Sequence, residues 1–160
     1  MIVVADTGPL RYLVLLDQVH ILDALFRHVL VPEAVAAELT HERTPEAVKH
    51  WMANPPDWLE VWRSPLPEIS GLDHLDPGER QAISLAQTSA MSLLLMDDVE
   101  GRAAAKSLGL GVVGTVGILE SAAEAGLLDF ALVFKELEQT NFHMSASFRQ
   151  IIRERHRLHP

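Results

Sequence analysis

The sequence predicts an α/β fold, a mostly parallel central sheet with helices on both faces. Short, largely apolar runs of strand length stand at Ile2–Ala5, His28–Val31 and Met91–Met96, as expected for strands buried on both sides. Between them lie stretches whose apolar residues recur three and four apart, the helical spacing. Alternation of the two implies crossover connections, which are right-handed and leave the strands parallel. The 160 residues match the length of one domain, so residues 1–160 are expected to form a single unit.

Each element has a local reason. Gly8-Pro9 breaks the first strand, and Pro9 suits the first turn of a helix. Leu10, Leu13 and Leu16 carry that helix, which is expected to continue through Gln18–Phe26 with Ile21, Leu22 and Leu25. Pro32 opens a helix over 33–39 with Val35 and Leu39 as its stripe, and Thr44-Pro45-Glu46 starts another, ended by Asn54-Pro55-Pro56. Trp58–Trp62 alternates apolar and charged residues, as in an edge strand, and 64–71 is a proline-bearing loop. Asp76-Pro77-Gly78-Glu79 has a cap, proline at the first helical position and an acid at the third, the signature of a capping box. Met91–Met96 reads as a central strand and Gly101–Leu108 as a helix stopped by Gly109. Gly111–Gly114 is a strand, and Thr115 is expected to cap a helix to Ala125. Helices over 129–139 and 147–158 follow.

Composition excludes several classes. There are no cysteines, so disulfide scaffolds, thiol catalysis and thiolate metal sites are out. With 48% hydrophobic and 22% charged residues, the chain is neither disordered nor fibrous. No apolar run is long enough for a bilayer, and Met1–Asp6 lacks a basic segment, so a cytoplasmic protein without a signal peptide is expected. The net charge of −9 disfavours general nucleic-acid binding, although Arg149, Arg153, Arg155 and Arg157 concentrate cations near the C-terminus.

Ligands of open parallel sheets bind beyond the carboxyl ends of the strands, so the residues just after strands carry the information. Asp6, Asp97, Asp98 and Thr115 occupy such positions, with Glu38 on the helix after the second strand and Glu79 at the start of a later one. Converging carboxylates raise one another's pKa, and a divalent cation relieves that cost. Oxygen-only ligands favour Mg²⁺ or Mn²⁺, which can activate water and clamp a phosphodiester. Structural readings stand beside these. Asp6 is equally placed to cap a helix, Glu79 to complete the capping box, Glu38 to be a solvated helix residue and Glu33 to favour a helix dipole. One of Asp97 and Asp98 can cap the next helix. Arg102 is placed either to pair with Asp98 or to face a phosphate. Arg149 and Arg153 read as a solvated face or, in the minority reading, as a nucleic-acid contact. Asp6-Thr7-Gly8 spells the aspartic-protease triplet, but in an α/β pattern instead of an all-β frame.

Taken together, Asp6-Thr7-Gly8-Pro9-Leu10, Val31-Pro32 followed by Glu38-Leu39, Leu75–Glu79, Leu94–Asp98 with Gly101-Arg102, and Gly114–Leu119 resemble the PIN domain, the family of the VapC toxins. They are most similar to a PIN-like subgroup of prokaryotic proteins. The resemblance spans residues 2 to about 128, leaving C-terminal helices over about 129–158. It implies a three-layer α/β/α sandwich and an acidic pocket holding Mg²⁺ or Mn²⁺. It further implies RNA cleavage by a toxin paired with a small antitoxin protein. It also implies that Asp6, Glu38, Glu79 and Asp97 or Asp98 are catalytic metal ligands, with Thr7 and Thr115 orienting them or the attacking water. One departure stands out: where many PIN enzymes carry Thr two residues before the last acid, this chain has Met96 or Leu95. That favours, as an alternative, a non-catalytic PIN-like module that binds nucleic acid or a partner protein. A haloacid-dehalogenase-type phosphatase also starts from an Asp after the first strand. It needs a second Asp where Gly8 stands and a positioned lysine, with only Lys49, Lys106 and Lys135 available. A homodimer is expected, because such toxins are commonly dimers and Leu10, Leu13, Leu16, Leu22 and Leu25 exceed what one sheet face needs.

Overall fold

A computed structural model describes residues 1–158. Five parallel strands, β1 (Ile2–Ala5), β2 (Val29–Pro32), β3 (Leu59–Trp62), β4 (Ser92–Leu95) and β5 (Gly111–Val113), form one sheet in the order β3-β2-β1-β4-β5. The predicted α/β class therefore holds, with the sheet wholly parallel, β3 at its edge and β4 in its interior. The chain leaves β1 toward β2 on one side and later returns to β4 on the other. The strand order thus reverses between β1 and β4, and a crevice opens there at the carboxyl ends.

Residues along each strand alternate between two cores. Val3, Ala5, Val29, Val31, Leu59 and Leu95 face α1 (Thr7–Leu15), α2 (Ile21–Phe26), α3 (Glu33–Leu39), α4 (Glu46–Ala53), α7 (Thr115–Glu124), α8 (Phe130–Glu138) and α9 (Ala146–Arg155). Val4, Leu30 and Leu94 face α5 (Pro77–Gln87), α6 (Val99–Ser107) and the 72–75 segment. This is the expected three-layer sandwich, in which β1 and β2 are apolar on both faces because both are covered, whereas the edge strand β3 exposes Glu60.

Four expectations change. The first helix does not run on to Phe26. Asp17 adopts φ 56° and the Gln18 amide bonds back to the Leu13 carbonyl at 2.8 Å, a left-handed stop that separates α1 from α2. The leucines invoked for a dimer are spent inside the chain: Leu10, Leu13 and Leu22 are fully buried, Leu16 nearly so, and Leu25 packs against the same core. The helix after β4 begins at Val99, two residues before Gly101, because the Asp98 carboxylate caps it by accepting from the Gly101 amide at 2.8 Å. Thr115 does not cap α7. Gly114 is the N-cap, and the Thr115 hydroxyl is committed elsewhere. Among the described residues no helix is long and apolar enough to cross a membrane.

Candidate active site

Asp6 ends β1, and its amide bonds to the Leu95 carbonyl of β4 at 2.9 Å, so the two strand ends stand level across the crevice. Asp6 is only 6% exposed, and its side chain makes no capping hydrogen bond to α1, although it occupies the N-cap position. The capping alternative thus loses its support. Burial pushes its carboxyl up to about 7 despite the nearby Thr7 amide, and the charges of Asp76, Glu38 and Asp97 push the same way.

Glu38 arrives from the last turn of α3, which packs on α5. Thr7 donates its hydroxyl to Glu38 Oε2 at 2.8 Å, leaving Oε1 turned toward Gly78. Burial raises this carboxyl as well, with the Thr7 hydrogen bond opposing it. Gly78 shows why the first turn of α5 carries a glycine. A Cβ there would come within 2.8 Å of Glu38 Oε1 and 3.5 Å of both Asp6 Oδ1 and Asp76 Oδ1. Three carboxylates therefore look into a space that only a missing side chain keeps open.

Asp97 completes the group from the β4 side. Thr115 grips both its oxygens, the amide on Oδ1 at 2.7 Å and the hydroxyl on Oδ2 at 2.6 Å. Burial raises the Asp97 carboxyl, and the Thr115 bonds and the Arg102 charge counter it. Gly114 permits this grip, because a Cβ there would stand 2.8 Å from Asp97 Oδ1 and 2.9 Å from an Arg102 guanidinium nitrogen. Arg102 does not pair with Asp98. It donates to the Met96 carbonyl at 3.1 Å beside Asp97. Met96 itself is buried, its sulfur against Gly101, and its side chain takes no part among the acids.

The adjacent acids have thus separated. Asp97 turns inward, whereas Asp98 is exposed and spends an oxygen capping α6. Glu79 does complete the capping box, its carboxylate accepting from the Asp76 amide while Asp76 accepts from the Glu79 amide at 2.8 Å. It also feels the group: burial, then the Asp76 and Asp98 charges, lift it to about 8. Asp76 is the residue that the sequence reading missed. Its role as cap was legible and complete in itself, so nothing flagged that its Oδ1 also faces Gly78.

Glu33 remains exposed, 4.0 Å from Arg63. Arg149 and Arg153 lie 3.2 and 2.7 Å from Glu138, and Arg155 lies 2.7 Å from Glu120, so these C-terminal arginines bind α9 to α8 and α7 instead of standing free. A cleft of about 800 Å³, lined by Trp62, Arg63 and Arg80 beyond β3, contains none of the acids around Gly78.

Among the described residues no three His, Asp or Glu side chains form a ready-made ligand set for one ion. The donors nevertheless suit a hard cation. They are carboxylate oxygens only, Asp6, Glu38 and Asp76 share a gap that a Cβ would fill, and burial, with like charges beside Asp6 and Glu38, raises the carboxyls of Asp6, Glu38 and Asp97, a cost that a cation would relieve.

Comparison with known proteins identifies the family. A family model described as PIN domain, a family of nucleases, matches residues 2–157. No curated protein and no solved structure matches the chain. The family match covers nearly every residue, and the order of the motifs along the chain accords with the sheet that brings Asp6 and Asp97 together. The chain therefore belongs to the PIN-domain family.

Proposed function

We propose that the chain is a divalent-metal-dependent endoribonuclease of the cytoplasm, using Mg²⁺ or Mn²⁺, and the toxin of a toxin–antitoxin pair. The observation that carries the reading is the gap at Gly78. Asp6, which is buried, and Glu38, which is half-buried, reach it from separate elements, and half-buried Asp97 stands across the β1–β4 crevice, each with its carboxyl raised above the ordinary value.

In this reading Asp6, Glu38 and Asp97 hold the metal, with Glu79 and Asp76 at the rim. Asp98 serves chiefly as the α6 cap. A bound divalent ion supplies the positive charge that lets the carboxylates ionise together, and it favours attack of water on a phosphodiester. The chain's own groups do the rest. Thr7 fixes Glu38 so that Oε1 is free to orient water or accept its proton, and Thr115 fixes Asp97 through both oxygens. Arg102, facing Asp97 from α6, is placed to meet a substrate phosphate.

The non-catalytic alternative rested on Met96 standing where a hydroxyl is usual. Because Met96 is a core residue and Thr115 presents a hydroxyl to Asp97, that departure no longer favours it. The toxin assignment and a homodimer rest on the family resemblance. A neighbouring gene for a short antitoxin-like protein would support the first, and a monomer mass by light scattering at micromolar concentration would overturn the second.

The reading is tested by cleavage of single-stranded RNA with Mn²⁺, for the wild-type protein and for Asp97→Asn. Cleavage by the wild type that falls by about a hundredfold or more in the variant is expected. Equal cleavage by both, or none by the wild type, overturns it.

A further inference from the structure

A second cleft, about 670 Å³, opens from Asp97 and runs along α6 to α9. Its size suits a nucleotide. Its walls combine exposed apolar side chains with cationic ones. Val99 is 79% exposed and Phe148 is 39% exposed, apolar side chains left open to water on the rim of a polar site. Beside them are Arg102, Lys106 and Arg155. Arg155 is neutralised by Glu120, but Lys106 is in no ion pair among the described residues, and Arg102 hydrogen-bonds only a carbonyl.

We propose that this cleft is a nucleotide subsite for single-stranded nucleic acid. Phe148 and Val99 support an unpaired base, while Lys106 and Arg102 meet the phosphates that lead to Asp97. The inference rests on the nuclease reading for its direction, because the cleft begins at a residue of the proposed centre. Charge decides the class of occupant. A protein with a net charge of −9 repels polyanions in general, so Lys106, in no ion pair among the described residues, on the same cleft as the exposed Phe148 and next to the Arg102 that faces Asp97, marks where one is accepted. An apolar peptide would use Val99 and Phe148 but would leave Lys106 unexplained. A duplex keeps its bases stacked inward, where Phe148 has nothing to support.

The test is fluorescence anisotropy of a labelled single-stranded RNA of about twelve nucleotides, in chelator so that nothing is cut. It compares wild type, Phe148→Ala, Phe148→Tyr and Lys106→Gln, each shown by thermal melting to be folded. Phe148→Ala is expected to weaken binding about tenfold, and Phe148→Tyr to bind like wild type because the ring is kept. Lys106→Gln is expected to lower the slope of log affinity against log salt by about 0.7, the share of one phosphate contact. With Mn²⁺ the Phe148→Ala and Lys106→Gln variants are expected to raise KM while keeping kcat. Wild-type affinity in both of these variants, or a wild type that binds a blunt-ended duplex of the same sequence, titrated in parallel, more tightly than the single strand or binds no RNA, overturns the subsite. The nuclease reading fails separately: binding that depends on Phe148 in a protein that cuts no RNA keeps the subsite and removes the nuclease.

Discussion

Asp6 is held against its electrostatic interest. A buried carboxyl surrounded by Glu38, Asp76 and Asp97 is tolerated in the metal-free protein only by retaining a proton up to about pH 7. Asn keeps its shape and removes the charge. Asp6→Asn is therefore expected to stabilise the metal-free protein by about 1–2 kcal/mol, a rise in Tm of roughly 3–6 °C. It is also expected to abolish RNA cleavage and most of the stabilisation by added Mn²⁺. Melting curves with and without Mn²⁺ check both, and a variant with wild-type metal response means that the site is misplaced. Gly78 makes a complementary case. Ala is the better helix former, yet its methyl group would enter the gap 2.8 Å from Glu38 Oε1. Gly78→Ala is expected to keep the fold and lose at least about tenfold in Mn²⁺ affinity by calorimetry. Undiminished affinity would show that the gap is not where the ion sits.

At the scale of elements, α6 separates two acids that are indistinguishable as neighbours in the sequence. Asp98 terminates the backbone of the helix, whereas Asp97 belongs to the crevice. Asp98→Ala should cost about 1 kcal/mol, and Asp98→Asn only a few tenths, because asparagine caps as well as aspartate. Neither should change Mn²⁺ affinity as much as Asp97→Asn does. A calorimetric titration in which Asp98→Asn loses more affinity than Asp97→Asn reverses the assignment. On α9 the arginines serve packing: Arg149 and Arg153 converge on Glu138, which is largely covered. Glu138→Ala strands both cations and is expected to destabilise by about 1 kcal/mol, with cleavage per folded molecule unchanged. A loss of cleavage at full folding would return these arginines to the substrate face.

For the whole molecule the raised carboxyls set a pH dependence. Between the ordinary value of 3.8 and about 7, folded Asp6 keeps a proton that the unfolded chain has released. The native state then binds more protons, so stability falls as pH rises through this window. Glu79, lifted from 4.5 to about 8, acts in the same direction but is partly exposed, so it contributes less. Glu120 runs the other way. Burial would raise it, but bonds from His156 and Arg155 hold it below 4.5, so its contribution is lost only as pH falls further. The metal-free protein should therefore melt higher at pH 6 than at pH 8. Saturating Mn²⁺ should flatten or reverse that trend, because metal binding requires the carboxylates to lose their protons. Melting that is flat with pH in both conditions would mean that the acids are not mutually strained.

Much of the fold was legible because its causes are local. Apolar runs without alternation mark strands covered on both sides, and the Asp76–Glu79 cap and the glycine after α6 act within a single turn. Asp6 and the Asp97-Asp98 pair could be singled out because residues after parallel strands must face one edge, and Glu38 through the resemblance to the PIN domain. What the chain order left open required distance. Only packing shows that Gly78 stands between Glu38, Asp6 and Asp76, and that Thr115, not a residue of β4, grips Asp97. Only packing shows that Met96 is buried, that Arg102 turns from Asp98 to the Met96 carbonyl, and that the leucines of α1 and α2 are used within the chain. The sequence by itself determined the elements, their parallel arrangement and the edge where the acids collect, since those follow from hydrophobic period and helix and turn chemistry over a few residues. The tertiary structure decided which acids share a space, because a carboxylate's partners and burial depend on side chains that meet only after the sheet has formed.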